Sequence, residues 1–144
     1  MALQVWLPLD GSLRNNGLLD VTVTNHGATV ENNGKIGKCY AFDNNTSYIA
    51  LQHINLYSIL NGAAQPFSIC FWVYQADASR AIIFGDYSVS GGNNFNIELT
   101  TGHALRWYWA TPDINISAMN VGLETWAHVA FTYDGTTLKG YLNG

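Results

Sequence analysis

The sequence predicts an all-β fold, an antiparallel jelly-roll-like sandwich, and three observations carry that prediction. Turn residues punctuate the chain roughly every eight to twelve positions, with Val, Ile, Thr and aromatic residues between them. Two long segments, Phe67–Tyr74 and Trp126–Tyr133, alternate with a period of two, as strands with one buried face do. Long helical periodicity is missing. A chain of 144 residues suits one domain, and folding at that size buries roughly two-thirds of the unfolded chain's surface.

Taken in order, Val5–Leu9 reads as a short first strand closed by Asp10-Gly11, and Asn15-Asn16-Gly17 makes a second turn. Val21–Thr24 and Ala28–Glu31 are β-branched segments separated by Asn25-His26-Gly27. Asn32-Asn33-Gly34 leads into a strand at Lys38–Phe42, and the loop Asp43–Ser47 leads into another at Tyr48–Leu51. Across Gln52–Gln65 the apolar residues mix periods and Gly62 to Pro66 breaks the run, so a single helical turn is the most assigned there. Phe67–Tyr74 places Phe67, Ile69, Phe71 and Val73 on one face, expected to point between the sheets, and Ser68, Cys70, Trp72 and Tyr74 on the other. Burying such apolar side chains is worth about 1.5–3 kcal/mol each.

Ala81–Tyr87 is the next strand, followed by a polar loop over Ser88–Asn94. Phe95–Thr100 and Ala104–Ala110 pair across Thr101-Gly102-His103; this meander, with Ile114–Ser117 and the Trp126 strand after it, is expected to build one broad sheet. Asp134-Gly135 then separates Trp126–Tyr133 from a strand at Leu138–Leu142, the signal for a type I′ hairpin. Asn143-Gly144 is again a hairpin pair.

Composition excludes several function classes. Only 11% of residues are charged and 13% are aromatic, so the surface is largely neutral and polar. Six Lys plus Arg in a chain of net charge −4 form no basic stripe, which argues against nucleic acid and anionic membrane as partners. No apolar run reaches the roughly 18 residues of a spanning helix, and Met1–Asp10 has no cationic start of the kind a signal peptide shows. Cys39 and Cys70 stand far apart inside predicted strands without His or Cys neighbours, so they read as small buried residues with free thiols and not as a metal site.

The closing segment Thr125–Gly144 (TWAHVAFTYDGTTLKGYLNG) resembles the end of laminin G-like domains within the concanavalin A-like lectin and glucanase superfamily. Gly34–Phe42 leading into Tyr48–Leu51, the central strand Phe67–Tyr74 and the opening Val5–Ser12 are similar to that family's other strand blocks. The resemblance covers essentially the whole chain, read as a single laminin G-like domain over 1–144. Family members usually carry two or three more strands after the hairpin, so the chain reads as a domain truncated at its C-terminal end. The Leu138–Leu142 strand would then present an open edge, a template for self-association.

Because the superfamily contains glucanases, catalytic acids come first. Retaining glycoside hydrolysis needs two carboxylates about 5–5.5 Å apart; the Glu-x-Asp-x-x-Glu pattern of laminarinase-type enzymes is missing, and Glu31, Glu98 and Glu124 stand alone. The residues point instead to non-catalytic binding. Aromatic faces cover the C–H surface of sugars while Asn, Asp and backbone groups satisfy hydroxyls. In Arg106-Trp107-Tyr108-Trp109 one face carries Trp107 and Trp109 and the other Arg106 and Tyr108, and either pair can be the outward one. The candidate ligand-binding residues are Asp86, Tyr87, Asn93, Asn94, Tyr108 and Trp109. The family resemblance also implies calcium, with Asp86 and Asp113 as candidate ligands beside Asn93 and Asn94, although turn chemistry explains the same residues. The expected partner is a glycan or a surface protein; the sequence leaves the localisation open, a virion or extracellular surface being compatible with it. The alternative is a structural module of a phage virion or surface assembly.

Overall fold

The computed structural model describes residues 2–43, 45–52, 65–85, 95–108 and 114–144, with the side chains of 114–118 left aside. It is all-β and antiparallel, and the chain divides into two compact units, Met1–Leu56 and Tyr57–Gly144.

In the first unit, β1 (Thr22–His26) pairs with β4 (Tyr48–Gln52), and β2 (Thr29–Glu31) pairs with β3 (Cys39–Ala41). His26 stacks on its cross-strand partner Tyr48 with ring centroids 4.3 Å apart. The Asp43 carboxylate organises the link between β3 and β4. It accepts backbone N–H bonds from Asn45, Thr46 and Ser47 at 2.8–3.1 Å and both the Thr46 and Ser47 hydroxyls. The Ser47 N–H and hydroxyl, followed by the Asn45 and Thr46 N–H groups, hold its carboxyl well below the usual carboxylate range.

The expected first strand, Val5–Leu9, does not form a ladder. It runs irregularly beside residues 15–19, with Asn16 N donating to Trp6 O at 2.9 Å and Trp6 N donating to the Asn15 side chain at 2.8 Å. Asn15 substitutes its amide for a strand partner, and Pro8 and a left-handed Leu9 (φ 55°) end any regular pairing. Gly17 permits the close approach, since a Cβ there would collide with the Gln4 carbonyl.

The second unit is a two-sheet sandwich. One sheet has the order β11-β10-β5, from β5 (Phe67–Tyr74), β10 (Trp126–Tyr133) and β11 (Leu138–Leu142). The other has the order β6-β7-β8-β9, from β6 (Ala81–Gly85), β7 (Asn96–Leu99), β8 (Ala104–Tyr108) and β9 (Ile114–Asn120). Their inner faces meet around Trp107, which is fully buried and touches the rings of Phe67, Phe95 and Phe131 at centroid distances of 5.1–5.8 Å. Ile97, Leu105, Ala127 and Val129 complete this core.

β7, β8 and β9 pair in succession as expected, with β6 added beside β7, but the Trp126 strand does not extend their sheet. β10 crosses to the opposite sheet and lies between β5 and β11. Successive strands usually neighbour one another, yet β5 and β10 match in length, with eight residues each in one continuous register from Trp126↔Tyr74 to Tyr133↔Phe67. Left-handed Gly122 (φ 76°) and Glu124 (φ 53°) turn the chain across. The β10–β11 hairpin also departs from a two-residue type I′ turn. Tyr133 pairs with Leu138, leaving the four residues Asp134–Thr137, in which Gly135 alone has positive φ and the Asp134 carboxylate accepts the Thr136 and Thr137 N–H groups. Of the two thiols, Cys39 is half-buried and Cys70 is exposed on the outer face of β5, so burial does not describe Cys70.

Candidate functional site

Strand alternation decides which of the two Arg106–Trp109 faces turns outward. Leu105 and Trp107 are fully buried between the sheets, so Arg106 and Tyr108 project from the outer face of β8. On β7 the same rule buries Ile97 and Leu99 and turns Asn96 and Glu98 to the outer side. The register then sets Asn96 opposite Tyr108 and Glu98 opposite Arg106, with Gly85 and Ile82 of β6 in the next column.

Glu98 is the centre of this face. It is 2% exposed although it points away from the core. Arg80 donates to its Oε2 from Nε at 3.0 Å and from Nη2 at 2.5 Å, and Arg106 donates from Nη1 to its Oε1 at 3.1 Å. A buried carboxylate without such partners would be strongly destabilising. The two guanidiniums cover it and leave their own outer edges at the surface, with the side chains 62% and 30% exposed. Arg106 also lies over the Tyr108 ring, its Cζ 5.6 Å from the centroid, which holds the half-buried phenol against the sheet.

Asn96 completes the arrangement beside Tyr108. Its Oδ1 is buried without a hydrogen-bond partner and lies over Gly85, where a Cβ would collide with it. Arg80 is delivered from outside the sheet by Gln75, a buried side chain at the end of β5. Gln75 Nε2 donates to Ser79 O at 3.0 Å, its Oε1 bonds His103 Nδ1 at 3.0 Å, and its backbone oxygen accepts the Glu124 N–H at 2.9 Å.

Of the candidate ligand-binding residues, Tyr108 is described, and it lies on the outer face of β8 beside Arg106. Asp86, Tyr87, Asn93, Asn94, Trp109 and the calcium candidate Asp113 lie outside the described residues. Among the described residues, Gly85, Asn96 and Tyr108 form one row across the sheet. Among the described residues no group of three or more His, Cys, Asp or Glu side chains is placed to hold a metal ion. Sequence reasoning missed Glu98, Arg80 and Asn96. Glu98 had a signal, since it and Arg106 lie equally far from Gly102 at the centre of the turn, the register a symmetric hairpin demands. Arg80 had none.

The family model Laminin_G_3, described as Concanavalin A-like lectin/glucanases superfamily, matches residues 43–144. No curated protein and no solved structure matches the chain.

Proposed function

Since the chain belongs to the concanavalin A-like lectin/glucanase superfamily, whose members divide between binding and hydrolysis, we propose that it is a non-catalytic module that binds glycan on the outer face of β7 and β8. The observation that carries this reading is the Glu98–Arg106–Tyr108 cluster. A half-buried phenol ring and the guanidinium that lies over it share this face, the ring suited to a sugar's C–H face and the guanidinium to its hydroxyls. Binding and not hydrolysis is favoured because both Glu98 oxygens are engaged by guanidinium groups, and no second carboxylate follows within a few positions of any acidic residue. A glycan array probed with and without chelator tests the proposal: calcium-independent binding that Tyr108→Ala removes is expected, and an array blank in both conditions overturns it.

A second reading, an assembly module that associates with its own copies, is favoured by β11, which has one ladder partner, β10, among the described residues. Light scattering that finds a monodisperse monomer contradicts it.

A further inference from the structure

The outer face of the β11-β10-β5 sheet carries a second concentration of aromatic chemistry that the Glu98–Tyr108 site does not use. Trp72 and Tyr74 project from β5, Trp126 and His128 from β10, and Tyr141 from β11. The register places Trp72 opposite His128 and Tyr74 opposite Trp126, with ring centroids 5.1 and 5.5 Å apart. Two rows of paired rings thus lie on one sheet surface, separated along the strands by two residues, or roughly 6.5–7 Å. Trp72 and Tyr74 are each 41% exposed and Tyr141 is 43% exposed.

The rest of this face tells which ligand fits it. Between and around the rings stand the small or hydroxyl side chains of Ser68, Cys70, Ala130 and Thr132, and among the described residues of the three strands Lys139 is the one charged side chain on this face. Leu, Ile, Val and Met are missing from the outward positions of these three strands. Aromatic faces with interspersed hydroxyls and almost no charge complement a neutral ligand that is apolar on its flat faces and hydroxylated at its edges. We propose that this face is a second glycan-binding surface, taking a neutral polysaccharide chain of sugars with equatorial hydroxyls laid along the rings. The proposal rests on the binding reading above and extends it. Trp107 packs against Phe67 and Phe131 between the two sheets, so the two outer faces point in opposite directions. One module then holds two polysaccharide chains and cross-links them.

Cys70, exposed on this same face, is a built-in reporter. The rate of Cys70 alkylation in the unmodified protein, followed by mass spectrometry of its peptide, is measured alone and with hydroxyethyl cellulose, xylan or galactomannan. Affinity electrophoresis in the same polymers compares wild type with Tyr108→Ala and with Trp72→Ala/Tyr74→Ala. At least one polymer is expected to slow Cys70 alkylation severalfold in wild type and in Tyr108→Ala, and the double variant is expected to lose about tenfold or more in affinity, the worth of roughly one stacked ring. Retardation that Tyr108→Ala abolishes while Cys70 stays fully reactive overturns this inference and leaves the first site standing. No retardation in any polymer overturns both. Cys70 protection that rises with protein concentration and needs no polymer makes the face a contact between copies, which also overturns the inference.

Discussion

Glu98 and Arg106 face each other across the β7–β8 ladder, and the buried carboxylate accepts the Arg106 Nη1–H at 3.1 Å while its other oxygen accepts two bonds from Arg80. The outer face of this sheet is organised by one acid. Glu98→Gln leaves two guanidiniums without their charge partner, and because both reach solvent the expected loss is about 1–2 kcal/mol, below that of a fully buried pair. Arg80→Ala removes the more exposed partner and costs under about 1 kcal/mol. Urea unfolding of the two variants checks the order; equal losses contradict it.

Trp107 is the side chain on which both sheets close. Trp107→Ala removes its contacts with Phe67, Phe95 and Phe131, and the expected destabilisation is about 3–5 kcal/mol. Trp107→Phe keeps a ring in the same place and costs less than half of that. Thermal unfolding followed by near-ultraviolet circular dichroism distinguishes them.

Gly85 makes room for Asn96. A Cβ there would collide with Asn96 Oδ1 and lie 2.8 Å from the Phe95 carbonyl oxygen. Gly85→Ala is expected to cost about 1–3 kcal/mol. Adding Asn96→Ala removes the side-chain collision but not the backbone one, so a double-mutant cycle should return part of the loss. Strict additivity of the two exchanges contradicts the account.

Asp43, Asp77 and Asp134 are each held below the ordinary carboxylate value by donors in their own turns. For Asp43 the first of these is the Ser47 N–H, for Asp77 the Ser79 hydroxyl and for Asp134 the Thr137 N–H. A carboxyl depressed in the folded state binds its proton more readily when unfolded. Its stabilising contribution is therefore complete above the unfolded value of about 3.9 and is lost as the pH falls toward the folded one. Stability measured by urea midpoint should fall from pH 5 to pH 2, and Asp43→Asn together with Asp134→Asn should flatten that slope. An unchanged slope contradicts the assignment.

Legibility in the sequence followed how local the governing physics was. β5 and β10 are readable residue by residue because eight alternating positions leave no ambiguity of face. Their pairing with each other was not readable, since it depends on a crossover through Gly122 and Glu124. Val5–Leu9 has strand composition, but Asn15 answers its backbone with a side chain, which no periodicity reveals. On β8 both faces are aromatic or amphipathic, so the outward turn of Tyr108 required the burial of Trp107 to be seen. Glu98 was open to a register argument, whereas Arg80 depends on the tertiary bridge through Gln75.

Glycan binding by Tyr108 and its neighbours on the outer face of β7 and β8 is the property on which the proposed function stands. It is tested most directly by titration calorimetry of the best array ligand against wild type, Tyr108→Phe and Tyr108→Ala. The Phe variant is expected to keep its stacking ring and most of the affinity, and the Ala variant to weaken binding by about tenfold or more with an unchanged fold. Affinity in Tyr108→Ala equal to that of wild type would contradict it.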